Sequence, residues 1–462
     1  MSVKNYDIVV IGGGWGGISA ATKAASLGQK VLLVEKSKLG GLCLNAGCIP
    51  SKALLWVAKN YSHYQDLAKL GIAPAVNPSA LSWQATQAYV QKVVQNLMDE
   101  LQAMLKRSRF EIAAGAAARF SSTNTVELTT GGVKETVEFR KAIIACGSAV
   151  MFPPIFENYR DQVLTNANIF SIAKLPQKIL IVGAGAVGCE FASFFAHYGQ
   201  TEVTLIEMKD QLVPGEDAWI SQSLEQALLH YGIKIFKSTQ VKAIDRHDGS
   251  WKVDFGSQSN QSFDHILLAA GRKLQASALG LENLPGLQFN AKTISVNSKL
   301  ETTLNHIYAI GDANGLSLFA HAASAQGEIA AINACGDNKE FNPLLVPRCL
   351  YTQPEAASVG YFIRDLEQLG IEYKALRGSF SANSRAICEG YQAEQHPTRI
   401  QILIEKNSKK ILGAQLLGPA VSETIHLFAL ALANNLTAED VKKTIFAHPS
   451  FSESLGITIA KG

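Results

Sequence analysis

The sequence predicts an α/β fold in which one βαβ unit occurs twice and a separate α/β region follows. Three observations carry this expectation: the unit repeats with its turn intact, several apolar strands end in glycine, and the composition supports a large core. Of 462 residues, 47% are apolar and 18% charged, the balance of a folded globular protein and not of a disordered chain. At roughly 150 residues per domain this length corresponds to about three domains. The net charge is +3, from 42 Lys and Arg against 39 Asp and Glu. A field that small draws in neither nucleic acid nor an anionic membrane, so neither is expected as a partner.

The first copy opens with the apolar strand Asp7 to Ile11 and continues through Gly12-Gly13-Gly14-Trp15-Gly16-Gly17. The Ala-rich helical run Ile18 to Leu27 and the strand Val31 to Glu35 complete it. The second runs from Lys178 to Val182 through Gly183-Ala184-Gly185-Ala186-Val187-Gly188, a helix Cys189 to Tyr198, and a strand Val203 to Glu207. In such a turn the first glycine makes the bend and the second lets the backbone reach a pyrophosphate. The third lets the helix pack on the strand. Gly12, Gly14 and Gly17, and again Gly183, Gly185 and Gly188, fill these places, which predicts two Rossmann-like dinucleotide-binding domains. Glu35 follows Gly12 by 23 residues and Glu207 follows Gly183 by 24, near the roughly 20-residue spacing of a ribose-binding carboxylate. A carboxylate there repels the extra phosphate of NADP, so NAD is the expected nicotinamide.

Between and after these units the patterning is simpler. Leu81 to Arg109 has helical periodicity. Arg119 to Phe139, turning at Gly131-Gly132, and Ile233 to Phe255, turning at Asp248-Gly249, read as antiparallel strands. Pro343 and Pro347 mark a boundary. Beyond it a hairpin is expected from Arg399 to Glu405 and Lys410 to Leu417, then helices over Ser422 to Asn434 and Ala438 to Ile445. No uninterrupted apolar run reaches the ~18–20 residues of a membrane span. The chain enters its first apolar stretch within a few residues, so a cytoplasmic location is expected.

Seven cysteines, five of them isolated, do not form a secreted disulfide framework. The remaining two, Cys43 and Cys48, lie five apart in Gly40-Gly41-Leu42-Cys43-Leu44-Asn45-Ala46-Gly47-Cys48-Ile49-Pro50-Ser51-Lys52, with a helical run beginning around Cys48. A helix N-terminus favours the thiolate needed for disulfide exchange. Near the C-terminus, Phe446-Ala447-His448-Pro449-Ser450-Phe451-Ser452-Glu453 offers a histidine base with a carboxylate to orient it. No metal site is expected.

These motifs, in this order from Asp7 to Glu453, resemble the class I pyridine nucleotide–disulfide oxidoreductases, and most closely the branch that oxidises protein-bound dihydrolipoamide. The resemblance implies FAD on the first βαβ unit, NAD on the second, and a C-terminal α/β dimerisation domain. It places an FAD-binding domain at residues 1–150, an NAD-binding domain at 151–271, a central segment completing the FAD domain at 272–345, and the dimerisation domain at 346–462. Cys43 is then the interchange thiol, Cys48 the thiol facing the flavin, and Lys52 a flavin neighbour paired with Glu190. His448 is the base and Glu453 its orienting carboxylate. Ala117, Asp312 and Ala320 are further FAD positions, while Val241 and Gly271 line the NAD site. The implied assembly is a homodimer in which His448 of one subunit serves the disulfide of the other. The implied partners are lipoyl domains of 2-oxo acid dehydrogenase or glycine cleavage complexes. Glutathione reductase-like relatives carry basic residues where Glu207 lies, mercuric reductases carry a terminal cysteine pair, and a flavin redox sensor needs none of the proton-transfer set. This sequence departs from the family at Ala145-Cys146-Gly147-Ser148, Gly271-Arg272-Lys273-Leu274-Gln275, Ala320-His321-Ala322-Ala323 and Phe446, and none of these changes removes a redox group.

Overall fold

A computed structural model describes residues 4–256, 261–391 and 397–461. The chain forms two compact units, each assembled from discontinuous segments. The first takes residues up to Pro50, Tyr89–Met151 and Gly271–Pro343; the second takes Ser51–Ala88, Phe152–Ala270 and the chain from Leu344 onward.

In the first unit, strand β1 (Lys4–Ile11), helix α1 (Trp15–Ser26) and strand β2 (Val31–Glu35) realise the first predicted βαβ unit. β1 pairs in parallel with β2 on one side and with Val133–Ile144 on the other. Glu111–Ala114 extends the sheet beyond β2 and Ile307–Ala309 extends it beyond Val133–Ile144, both in parallel. The chain runs from β1 to β2 on one side and later returns to the other side as Val133–Ile144, so the carboxyl end of β1, where Gly12 lies, is a switch point of the kind at which open α/β sheets bind ligands. Thr125–Thr130 and Ala117–Phe120 continue antiparallel, as the Gly131-Gly132 turn predicts. The central strands are buried on both faces, which explains their unbroken apolar runs. The core between sheet and flanking segments includes Val9, Phe120, Phe139, Ile144 and Leu281. Ala149–Val150 and Arg272–Lys273 pair antiparallel where the chain leaves and re-enters this unit.

In the second unit Lys178–Val182 sits between Glu202–Ile206 and His265–Leu268 in a four-stranded parallel sheet. Lys234–Phe236 is its outer strand, parallel to Glu202–Ile206. The expectation of antiparallel strands from Ile233 onward is thus corrected: only Ala243–His247 and Ser250–Asp254 form the hairpin turning at Asp248-Gly249, with Gln261–Phe263 as a third strand. Ile233 to Phe236 follows a helix, Ala218–His230, and a strand entered from a crossover helix pairs in parallel. The C-terminal region is a five-stranded antiparallel sheet that includes the expected hairpin Arg399–Glu405 and Ile411–Gly418. Its core packs Phe380, Ile402, Leu416 and Phe428 against short helices. The helix expected over Ser422 to Asn434 is broken into Val421–Thr424 and His426–Ala433, and Ala438–Lys442 ends before Ile445.

Gly41–Lys69 has the length and mean hydropathy of a membrane span, although no uninterrupted apolar run foretold it; a third of its most apolar window is buried. It is two helices, α2 (Gly41–Ala46) and α3 (Cys48–Lys69), parted by Gly47. They carry the two cysteines.

Candidate active site

The two glycine turns are built alike. Gly12 has φ +117 and Gly183 φ +102, a region open to glycine. Their N–H groups donate to the Val34 and Ile206 carbonyls, both at 2.8 Å. A Cβ on Gly12 would strike the Ala145 carbonyl oxygen, and one on Gly183 would lie 2.5 Å from that of Ala269. Cβ atoms on Gly17 and Gly188 would strike the Gly12 and Gly183 carbonyls, so the third glycine lets the helix sit on the turn. The middle glycine differs. A Cβ on Gly14 would meet only the Gly41 Cα, at 3.9 Å, and one on Gly185 would meet nothing within 4 Å. Protein packing does not require glycine there. Both residues are N-caps without side-chain caps, so the helix N-termini are left bare for a phosphate. These cradles fit a bound dinucleotide at each turn.

Gly185 yields a direct test. Its φ of −71 and ψ of −172 suit any residue, so Gly185→Ala is expected to leave stability unchanged or raise it by about 0.4–1 kcal/mol. NAD affinity should fall about tenfold or more, since a methyl group would occupy the pyrophosphate's place. Calorimetry alongside NAD titration checks both; unchanged affinity would remove the ligand reading of the middle glycine.

The predicted ribose carboxylates close the same loops. Glu35 accepts from Gly13 N–H at 2.6 Å and Ser37 N–H at 2.7 Å. Glu207 accepts from Ala184 N–H at 2.7 Å and Lys209 N–H at 3.0 Å. Each bond uses one lone pair of a different oxygen, and the remaining lone pairs can accept from a diol. The segment leading to Val241 runs beside Glu207, with Thr239 N–H donating to the Glu207 carbonyl at 2.9 Å. Gly271 (φ +109) falls in the first unit, its carbonyl accepting from Met151 N–H at 3.0 Å.

The cysteine segment is bound to the first turn. Gly40 N–H donates to the Gly13 carbonyl at 2.8 Å, and Gly14 and Gly40 form a parallel bridge. Asn45 Nδ2 donates to the Leu39 and Gly41 carbonyls at 3.0 and 2.8 Å, fixing the first turn of α2. Gly47 ends α2 tightly, since a Cβ there would lie 2.9 Å from the Leu42 carbonyl oxygen. Cys43, on α2, and Cys48, opening α3, consequently meet. The Cys43 thiol is hydrogen-bonded to Cys48, which pushes its pKa above the ordinary range; burial adds to the rise, and the Trp15 indole opposes it. The other five thiols form no such pair: burial pushes Cys146 and Cys349 up to about 12, Cys189 is buried, and Cys335 and Cys388 are exposed.

In the second unit Lys52, four residues beyond Cys48 on α3, meets Glu190 at 2.8 Å. Tyr351, absent from the sequence expectations, completes this pair: Lys52 Nζ lies 4.5 Å from its ring centroid, and its N–H donates to Glu190 Oε1 at 3.1 Å. His448 Nδ1 lies 2.9 Å from Glu453 Oε1, and Ser450 N–H donates to Glu453 Oε2 at 2.8 Å. A carboxylate only accepts, so Nδ1 carries the proton and Nε2 presents the basic lone pair. The imidazole is 70% exposed. Phe446 packs on the last helix, its ring 2.5 Å from where a Cβ of Gly456 would lie, which accounts for an apolar residue there.

Asp312 lies in the first unit after the strand Ile307–Ala309. Its carboxylate accepts from Ser148 Oγ and lies 3.4 Å from Arg272 Nε. Buried Gln326 shapes the turn beneath it, with Oε1 accepting from Gly311 N–H at 2.7 Å and Asn314 Nδ2 at 2.8 Å. Ser148, Arg272 and Gln326 were not anticipated as partners of this aspartate. Ala320 opens the helix Ala320–Ala334, where its N–H has no helical partner. Ala117 opens an outer strand of the first sheet, paired with Thr129.

Known proteins resemble the chain along most of its length. Residues 6–327 match the pyridine nucleotide-disulphide oxidoreductase family, and residues 346–458 match the dimerisation domain of that family. A dihydrolipoyl dehydrogenase of Bacillus subtilis is 34% identical over 450 residues, covering 97% of this chain and 96% of the relative. One from Staphylococcus aureus is 33% identical over 453 residues, covering 97% and 94%. Among solved structures, LpdA from Mycobacterium tuberculosis superposes with a TM-score of 0.89 at 24% identity over 99% of both chains. The copper(II) complex of the HOCl-induced flavoprotein disulfide reductase RclA from Escherichia coli gives 0.85 at 24% identity over 100% of both. At that identity the two structures speak for the fold.

Proposed function

The chain belongs to the pyridine nucleotide-disulphide oxidoreductase family, and on that premise we propose that it oxidises protein-bound dihydrolipoamide to lipoamide with NAD as final acceptor. The observation that carries this reading is the joint between Gly13-Gly14 and Gly40-Gly41, which ties a dinucleotide turn to a thiol pair in contact. Binding alone needs no second thiol, no Lys52–Glu190 pair and no His448–Glu453 pair.

In the homodimer that the dimerisation domain supports, His448 of the partner subunit takes a proton from a substrate thiol through Nε2. The resulting thiolate attacks Cys43 Sγ; the Cys43–Cys48 bond breaks and Cys48 leaves as thiolate. The second substrate thiol, once deprotonated, attacks the substrate sulfur held by Cys43. The lipoamide disulfide closes and Cys43 leaves as thiolate, so oxidation of the substrate dithiol balances reduction of the enzyme disulfide. FAD, when bound, would supply the two-electron chemistry that links re-oxidation of the Cys43 and Cys48 thiols to reduction of NAD. Asp312, held by Ser148 and Arg272, and the Ala320 N–H would hold the flavin side of that cofactor, with Ala117 a further FAD position and Glu35 at its ribose. Gly183, Gly185, Gly188, Glu207 and Val241 would hold NAD, Glu207 excluding NADP by charge. Lys52, neutralised by Glu190, would stand at the flavin. The lipoyl substrate would come from domains of 2-oxo acid dehydrogenase or glycine cleavage complexes, and the reaction would run in the cytoplasm, where thiols are kept reduced.

The test is steady-state turnover of the purified protein with dihydrolipoamide and each nicotinamide, set against glutathione disulfide. NADH formation from dihydrolipoamide is expected. NADPH-dependent glutathione disulfide reduction without lipoamide activity would replace this reading by a glutathione reductase-like one.

A further inference from the structure

The loop from Glu207 to the helix Ala218–His230 is held at both ends. At one end Val213 N–H donates at 2.8 Å to the carbonyl of Ala184, the residue between Gly183 and Gly185. Val213 is buried at φ +40, where a β-branched residue is strained, and Pro214 after it narrows its choices further. Such strain persists only where the surroundings fix the backbone. The fixing groups come from the dimerisation domain. Arg364 Nη2 donates to the Gly215 carbonyl at 2.7 Å and Nη1 to the Glu216 carbonyl at 2.9 Å. The buried Glu216 carboxylate accepts from Ser358 Oγ at 2.7 Å and lies 3.5 Å from Arg348 Nε. One ring sets both guanidiniums: Arg348 and Arg364 lie 4.4 and 4.3 Å from the Phe362 centroid. Glu216 N–H donates to the Val213 carbonyl at 2.8 Å, so the clamp reaches Val213 through one tight turn.

We propose that Arg364 is a positioning residue for NAD: from the dimerisation domain it fixes Val213, and through Val213 the amide plane of the second glycine turn. This rests on the reading of that turn as the NAD site. The Ala184 carbonyl and the Gly185 N–H belong to one planar trans amide and point to opposite sides of the chain. Val213 holds the carbonyl, and Glu207 Oε2 holds the Ala184 N–H at 2.7 Å. The Gly185 N–H therefore faces away from Val213, and among the described residues no group accepts it. It stands at the glycine whose Cβ would meet nothing within 4 Å, at the bare start of a helix. Removing the Arg364 guanidinium releases the Gly215 and Glu216 carbonyls. Val213 can then leave its strained conformation, and the amide that faces the pyrophosphate loses its direction. The Arg364 side chain is 44% exposed, so its loss leaves little buried surface bare.

The experiment uses the FAD-loaded Arg364→Met enzyme, which keeps an unbranched stem over Phe362 and loses the donors. Calorimetric titration of the oxidised enzyme with NAD is expected to show a Kd raised about tenfold, the size of one lost hydrogen bond to a charged group. The KM for NAD should rise in step, while kcat at saturating NAD and the rate of flavin reduction by dihydrolipoamide without NAD stay as in the unaltered enzyme. An unmoved Kd in the FAD-loaded variant overturns the proposal while leaving the NAD site in place. A flavin reduction rate that falls as far as NAD affinity overturns it too, since the damage is then general. If the variant does not keep FAD, hydrogen exchange of the unaltered enzyme decides. Coupling is reciprocal, so saturating NAD should slow exchange severalfold at residues 213–216 and 362–366. A slowing there no larger than in the hairpin of residues 243–254 overturns the proposal. If the unaltered enzyme binds no NAD, the reading of the second turn falls, and this inference with it.

Discussion

Cys48→Ser is expected to reduce dihydrolipoamide-dependent NADH formation to background while FAD stays bound. Without Cys48 there is no disulfide for the substrate to open, and Cys43 alone can form only a dead-end mixed disulfide. The same variant should lose the long-wavelength absorbance that a thiolate against a flavin produces on two-electron reduction. Cys48 is an exposed residue opening α3, and serine is accepted at helix starts, so the loss should occur with stability within about 0.5 kcal/mol of the parent. Turnover retained in a pure Cys48→Ser preparation would reject the mechanism. Loss of turnover together with loss of FAD would show a structural role instead.

His448→Gln should lower kcat/KM for dihydrolipoamide by about 10²–10⁴, the usual contribution of a positioned base. NADH oxidation by an artificial dye, which bypasses the substrate thiol, should be unchanged. The acid limb imposed by a histidine base should disappear from the variant's pH profile. Glu453 does not supply that limb. Its carboxyl is held below the usual carboxylate range, first by the Ser450 backbone N–H and then by His448. With the folded value lowered, its contact with the imidazole is present in full above the ordinary carboxylate pKa and is lost only as pH falls through the lowered one. Glu453 thus stays ionised wherever His448 works as a base. An acid limb unchanged in His448→Gln would assign the proton transfer to another group.

The parts of the site that could be read directly are those whose partners are close along the chain. Both glycine turns, Glu35 and Glu207, and the Cys43–Cys48 spacing lie within single βαβ units or a single helical segment. His448 and Glu453 lie five residues apart. The hairpins at Gly131-Gly132 and Asp248-Gly249 were legible for the same reason. Glu190 was found only through family resemblance, since it is 138 residues from Lys52. Tyr351, which completes that pair, carried no local signal beyond its place after a short strand. The Ser148 and Arg272 clamp on Asp312 spans 164 residues from serine to aspartate, and Gln326 reads as one polar residue in an Ala-rich helix. The direction of Lys234–Phe236 is not legible locally, because a three-residue strand has too few side chains to distinguish parallel from antiparallel pairing.

By itself the sequence determined the repeated βαβ units, the sites of their turns, and the short spacings that bring Cys43 to Cys48 and His448 to Glu453. Each depends on φ, spacing and residue chemistry within a few turns of chain, where geometry follows from the local residues. Tertiary structure alone decided that the protein leaves room for a Cβ at Gly14 and Gly185 but not at Gly17 and Gly188. It likewise decided that Ser148 and Arg272 both meet Oδ2 of Asp312. Those facts depend on which distant surfaces pack together, and packing selects among many partners of equal local propensity.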